Sequence, residues 1–217
     1  MSRNLEKERQ MVYSYMTLRK AIGILGIAMP FIVALGAMLI FHTGLQSSIS
    51  GYYHTGMRDV FVGILFSLGV FLLSYRGYGR EDDLAGNLAC IFAIGIALFP
   101  TTPEDRALDV IGYVHLGFAA AFFLTLTYFS LVLFTKTNPV KPPTRRKLQR
   151  NRVYRVCGYI MLACIALLMV YHMLPADTVT ALKRFSPVFW LEALAILAFG
   201  FSWFTKGEAI LKDELDG

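Results

Sequence analysis

The sequence predicts an all-α polytopic membrane protein, with six transmembrane helices and both termini in the cytoplasm. Three observations carry that prediction. Of the 217 residues, 56% are hydrophobic and the mean hydropathy is +0.53, more apolar than a soluble domain of this size. The apolar residues fall in uninterrupted runs, most of them long enough to cross a bilayer core of about 30 Å. They lack the strict alternation of barrel strands, so the runs read as helices. Lys and Arg are unevenly shared: 17 lie on the side that holds the termini and 4 lie in the remaining loops. That bias orients the chain. It also accounts for the net charge of +6, which is a topology signal before anything else. The basic loop lacks interleaved aromatics, so no nucleic-acid partner is expected.

One transmembrane domain covers residues 1–217, with spans at about 21–42, 58–76, 84–100, 110–135, 153–174 and 187–205 and a basic cytoplasmic linker over 136–152. The first apolar run starts near Ala21 and is too long for a signal-peptide core, so it reads as a permanent helix that also directs insertion. Residues 1–20 mix charge with Met, Tyr and Leu and read either as an amphipathic lead-in along the membrane or as a solvated tail. Pro30 predicts a kink, and His42 ends the span. On span 2, Asp59, Gly63, Ser67 and Ser74 recur at helical spacing and should face other helices, with the Val, Phe and Leu face toward lipid. Gly63→Leu should then cost more than Leu65→Ala. Span 3 carries Ala85, Ala89, Ala93 and Ala97 at a spacing of four, a small-residue packing face, and ends at Pro100 and Pro103. The linker KTNPVKPPTRRKLQRNR suits anionic head groups. Ser186 is placed to cap span 6, Pro187 to open it, and Phe185 with Trp190 to form a hydrophobic staple. Cys90, Cys157 and Cys164 all fall inside spans and form no disulfide framework. The KDEL near the end is internal, so it is no retention signal.

All four histidines, His42, His54, His115 and His172, fall on the outer side, together with Asp59, Glu104, Asp105, Asp109, Asp177 and Glu192. The bland reading of His42 and His172 is interfacial polarity at helix ends, and His54 reads equally as a solvated loop residue. Glu192 carries more weight, because a carboxylate within a span costs about 2.5 to 3.5 kcal/mol and needs a partner, a proton or water. Arg58 and His115 are the expected partners. The candidate ligand-binding set is Ser50, Tyr52, Tyr53, His54, Arg58, Asp59, His115, His172 and Glu192. His115, Glu192 and the Tyr52–Asp59 segment should meet in one cavity below the outer surface, with Arg58 as the fork for an anionic head group. A structural buried ion pair is the alternative. No metal and no cofactor is expected: the chain has no HxxxH or HExxH pair, and Asp109 and His115 point apart on a helix. Ser50, His54 and Asp59 lack a nucleophile elbow, so no catalytic residue is assigned and enzymatic activity stays open.

The segments ISGYYHTGMRDVFVG and ALFPTTP, followed by His115, resemble an uncharacterised family of small bacterial multi-span membrane proteins. Those proteins have a polar loop before span 2, a Phe-Pro-Thr at the outer end of span 3 and a histidine on span 4. More distantly, Ile49-Ser50 resembles the Ile-Ser motif in the first outer loop of the eukaryotic GPI-lipid-remodelling and autophagy-modulator membrane proteins. That group favours Pro-Glu before span 2, where this chain has Arg58-Asp59. The ceramidase and adiponectin-receptor superfamily requires an HxxxH near its last span, which this chain lacks. The resemblance covers Ser47 to Ser130 and implies six spans, a bacterial inner membrane and lipid-related work without a set reaction. The expected function is an outward-facing polar pocket that binds or modifies a lipid head group or small amphiphile, with membrane lipids as partners and a homo-oligomer allowed. Two other readings stand beside it: a structural or interaction protein without a ligand, and a metal-dependent membrane hydrolase.

Overall fold

In a computed structural model that describes residues 2–77, 79–137 and 142–211, seven α-helices and no strand are present. They are α1 (Ser2–Ile40), α2 (Arg58–Leu73), α3 (Arg80–Leu98), α4 (Val110–Tyr128), α5 (Arg145–Met173), α6 (Ala176–Leu182) and α7 (Pro187–Lys206). A short 3-10 turn, Ser50–His54, lies between α1 and α2, and α4 runs on through a π turn at Phe129–Leu133. Four helical stretches are long and apolar enough to cross a membrane: Ser14–Ile40, Val110–Leu133, Arg145–Met173 and Pro187–Lys206. α2 has 16 residues, a length of about 24 Å, and α3 opens on the charged run Arg80–Asp83.

The six long helices close into a ring. Each packs against two neighbours, in the order α1, α2, α3, α4, α5, α7 and back to α1. Small residues set the tightest crossings, as expected where helices approach in lipid. A Cβ on Gly23 would lie 2.6 Å from the Phe204 nitrogen, and one on Gly200 would lie 2.7 Å from the Ile27 nitrogen, so α1 and α7 touch backbone to backbone. A Cβ on Gly86 would lie 2.6 Å from the Leu72 carbonyl oxygen, which fixes α3 against α2. The four alanines of α3 are all buried, as the small-residue face requires. The ring's exterior stays apolar: α5 alone exposes Val156, Tyr159, Leu167, Met169, Val170 and Met173.

Several elements differ from the sequence expectation. The amphipathic lead-in and the first span are one helix, α1, with Pro30 inside it. It stops at Ile40, where His42 takes φ 52° and the Thr43 amide and hydroxyl cap the Ala37 carbonyl. α5 begins within the basic linker, because Thr144 accepts the Lys147 amide at 3.1 Å and caps it. Residues 138–141 of that linker lie outside the described residues. α6 was not anticipated and follows Pro175. Ser186 sits at φ 46° and its hydroxyl does not cap α7, although Pro187 does open the helix; Phe185 and Trp190 both stay exposed.

The polar stripe of α2 is the clearest correction. Asp59, Gly63 and Ser74 lie on the exposed face, with Ser67 half-buried beside them. The face turned inward is Phe61, Ile64, Leu65, Leu68, Gly69 and Leu72. The physical reason is local: Ser67 donates to the Gly63 carbonyl at 2.8 Å and Ser74 to the Val70 carbonyl at 2.9 Å. Hydroxyls satisfied by their own helix make no demand on a neighbour.

The two ends of the ring are held differently. At the lower end, where α2 joins α3, Trp203 is fully buried among Tyr75, Phe134 and Phe129, with centroids 4.9, 5.0 and 5.4 Å away. The π turn and its C-cap supply two of those rings: the Phe134 amide donates to the Phe129 carbonyl at 2.8 Å, and Ser130 shares a bond with Ser202 on α7. Lys136 reaches Glu81 at 2.7 Å and Arg150 reaches Glu208 at 3.4 Å. The ammonium of Lys136 holds the Glu81 carboxyl below its ordinary range, an exposed pair that adds little stability. The upper end carries the loop 41–57 and the candidate site.

Candidate functional site

Three hydrogen bonds fasten loop 41–57 to two other elements, the α3–α4 loop and α7. Its Ser47 amide donates to Glu104 at 3.2 Å, its Ser47 carbonyl accepts the Phe189 amide of α7 at 2.7 Å, and its Ile49 amide donates to the Glu192 carboxyl at 2.6 Å. Glu192 is the sixth residue of α7 and half-buried. Its carboxyl caps the first turn of the Ser50–His54 segment, with the Ser50 amide also facing it. Tyr52 is fully buried under this turn, edge-on to Phe189 at 6.3 Å, and its hydroxyl accepts the Gln46 amide. Burial pushes the Tyr52 phenol above its ordinary value.

The histidines clamp the end of α3. Pro100 and Pro103 break that helix and lack amide protons, so its last carbonyls need other donors. His115 donates from Nδ1 to the carbonyl of Phe99, the residue that caps the helix, at 2.7 Å, and His54 donates from Nε2 to the carbonyl of Thr101, in the loop just beyond, at 2.6 Å. Those bonds place the ring proton on the named nitrogen. Nearby, Asp109 caps α4 by accepting the Gly112 amide at 2.7 Å and also takes the Thr102 hydroxyl. These bonds, the amide first, hold the Asp109 carboxyl below its ordinary range.

Among the described residues, two cavities bear on the site. The first is a small chamber of about 40 Å³ inside the ring, between α1, α2, α3, α4 and α7. Its walls are Met29, Phe61, Leu65, Leu68, Ile96 and Ile196, with Ala119, Phe122, Phe123, Leu126 and Phe199. Its roof is Ile49, Ser50 and Glu192. Among the described residues no Lys, Arg or His lines it. The second is an open polar cleft of about 420 Å³ at the upper surface, formed by Tyr53, His54, Thr55, Gly56, Arg58 and Asp59.

The nine sequence candidates are therefore divided. Ser50 and Glu192 belong to the chamber, and Tyr53, His54, Arg58 and Asp59 to the cleft. Tyr52 packs between elements, His115 clamps α3, and His172 lies exposed on α5, bonded to its own helix through Leu168. The single cavity joining His115, Glu192 and Arg58 is not formed. Arg58 pairs with its neighbour Asp59 at 3.1 Å, and Glu192 takes backbone amides in place of Arg58 or His115. Two backbone amides satisfy a carboxyl at less cost than a second buried charge. No group of three metal-ligating side chains converges among the described residues.

The chamber walls and the Ile49 amide escaped sequence reasoning. One signal could have found the amide: a carboxyl that deep must find donors, and the adjacent Ser- and Gly-rich loop is the nearest source. The chain matches no family model, no curated protein and no solved structure.

Proposed function

We propose that the chain is a multi-pass inner-membrane protein of a bacterium, crossing the bilayer six times with both termini inside, and that its upper, outward end binds the head group of a lipid or small amphiphile. The apolar exterior of the ring supports membrane burial, since a water-exposed surface of this kind would aggregate. Four apolar helices and the 17-to-4 charge bias support the orientation. α2 and α3 stand in the same ring as the longer helices, which supports counting them as crossings. Reporter fusions at positions 45, 105 and 180 should read as outside, and fusions at 80, 145 and 217 as inside; reversal at any two sites sinks the topology.

The observation that carries the binding reading is the upper cleft. Arg58 stands at its lip with its side chain 56% exposed, beside Tyr53 and His54. An exposed guanidinium paired only with an exposed carboxyl can exchange that partner for a phosphate at little cost. Short-chain phosphatidylglycerol, titrated against the purified protein in neutral nanodiscs, should bind saturably. Arg58→Ala should weaken it about tenfold or more, the loss of one charge-assisted bond, with the melting temperature unchanged. Equal binding by the variant would remove Arg58, and with it this site, from the function. The kinship carried by Ile49-Ser50 and the Phe-Pro-Thr after span 3 belongs to the same proposal.

A further inference from the structure

We infer that the exposed face at the lower end of α5 is a second lipid site, separate from the cleft, and that it holds an anionic phospholipid with two phosphates bridged by one glycerol. The choice of leaflet, the inner one, rests on the topology proposed above; the site itself does not. α5 carries six Arg and Lys between Arg145 and Arg155 and no Asp or Glu along its whole length. Three of the six are buried or half-buried and bonded. Arg146 donates to Gln149, Lys147 to the Phe134 carbonyl, and Arg150 to the Leu211 carbonyl while pairing with Glu208. Arg145, Arg152 and Arg155 stay exposed, and no ion pair or hydrogen bond reaches their side chains among the described residues.

These three lie within about 80° of one another around the helix, so they share one face. Above them the same face turns apolar, with Val156 and Tyr159 both exposed. From Arg155 to the exposed Met173 the helix rises about 27 Å, close to the thickness of a hydrocarbon core. That sets Arg152 and Arg155 at head-group depth, with Tyr159 one turn further in, where interfacial aromatics sit. Ala163 and Ala166 are exposed beyond Tyr159, and their small side chains leave a shallow track for an acyl chain.

Unpaired cations at that depth attract anionic lipid. The residue type narrows the ligand. Lysine would orient the chain as well as arginine, yet every exposed cation on this face is arginine. A guanidinium forks around one phosphate, which an ammonium cannot do. Arg152 and Arg155 are about 4.5 Å apart along the axis, two forks side by side with no acid on the helix to compete. A lipid with one phosphate occupies one fork, and two phosphates on one glycerol occupy both. The cleft differs, since its Arg58 already has Asp59 beside it.

The test uses the full chain in maltoside micelles, with lipid occupancy read by native mass spectrometry. The probes are diphosphatidylglycerol, phosphatidylglycerol and phosphatidylcholine, each bearing oleoyl chains. Diphosphatidylglycerol should saturate at one per chain on this face and bind at least about tenfold tighter than phosphatidylglycerol, the worth of a second charge-assisted fork. Phosphatidylcholine should not compete. Arg152→Ala with Arg155→Ala should weaken diphosphatidylglycerol at least about tenfold. Arg152→Lys with Arg155→Lys keeps the charge and the topology signal but removes the forks, and should still weaken it severalfold. Lysine variants that bind like wild type would reduce the arginines to orientation charges and overturn the proposal. Equal affinity for the one- and two-phosphate lipids would overturn it too. If the alanine variant fails to insert or fold, the lysine variant decides. Arg58→Ala should leave diphosphatidylglycerol binding as it is, so failure of the cleft reading and failure of this one are distinguishable; loss of that binding in Arg58→Ala would overturn the separate site.

Discussion

Gly200→Leu should leave no folded protein. At this position α7 meets α1 with nothing between the two backbones: an added Cβ would stand 2.7 Å from the Ile27 nitrogen and 2.9 Å from the Gly23 carbonyl oxygen. The reciprocal contacts from Gly23 are as short, 2.6 Å to the Phe204 nitrogen and 2.9 Å to the Gly200 carbonyl oxygen. Neither obstacle is a side chain that can turn away. A single added methyl, Gly200→Ala, must push the helices apart and should cost at the upper end of the ~1–3 kcal/mol typical of overpacking. A leucine separates them far enough to lose the van der Waals contacts that hold helices together in lipid, where no hydrophobic force substitutes for them. α7 also carries Glu192, Ser202 and Trp203, so a displaced α7 would loosen the loop anchor and the lower aromatic cluster together. Size-exclusion profile and melting in detergent read the outcome. A monodisperse Gly200→Leu with unchanged melting would mean that α1 and α7 do not cross at these glycines.

The parts of this fold that were legible in the sequence are those that depend on hydrophobicity and on Gly and Pro. α2, α4 and α7 begin at Arg58, Val110 and Pro187, where the apolar runs begin. α3 ends at Leu98, just before Pro100. What was not legible depends on which groups satisfy one another across the chain. Glu192 and Ile49 are 143 residues apart, and nothing local in either names the other. His115 looked like a buried ligand group because imidazole in a span is costly, yet its partner is the Phe99 carbonyl, whose place in a continued helix would need an amide that Pro103 lacks. The same residue types at the same spacing serve a helix end as well as a ligand, so periodicity alone does not separate the two. The division of the candidate set between the chamber and the cleft follows from loop 41–57, which folds Ser50 inward and Arg58 outward within one short segment.

Leu65→Ala should cost more than Gly63→Leu, the reverse of what the polar stripe of α2 implies. Leu65 is 3% exposed and forms part of the chamber wall, so truncation removes packed methyl groups and enlarges an existing void. Buried leucine truncations cost ~2–5 kcal/mol. The value here belongs near ~2 kcal/mol, because the chamber already deprives one side of Leu65 of contacts and lipid weakens the transfer contribution. A Cβ on Gly63 would meet nothing within 4 Å, so a leucine there points away from the bundle and should stay within about 0.5 kcal/mol of wild type. Both variants can be melted side by side in the same detergent. If Gly63→Leu proves as damaging as Leu65→Ala, the face of α2 that holds Gly63 and Ser67 is covered in the functional state. With no element among the described residues standing against it, the cover would then be a second copy, and the loss should deepen as the protein is concentrated. A Gly63→Leu that melts with wild type at every concentration places that face against lipid, and its two serines then remain what their bonds to Gly63 and Val70 make them, polar groups already satisfied within one helix.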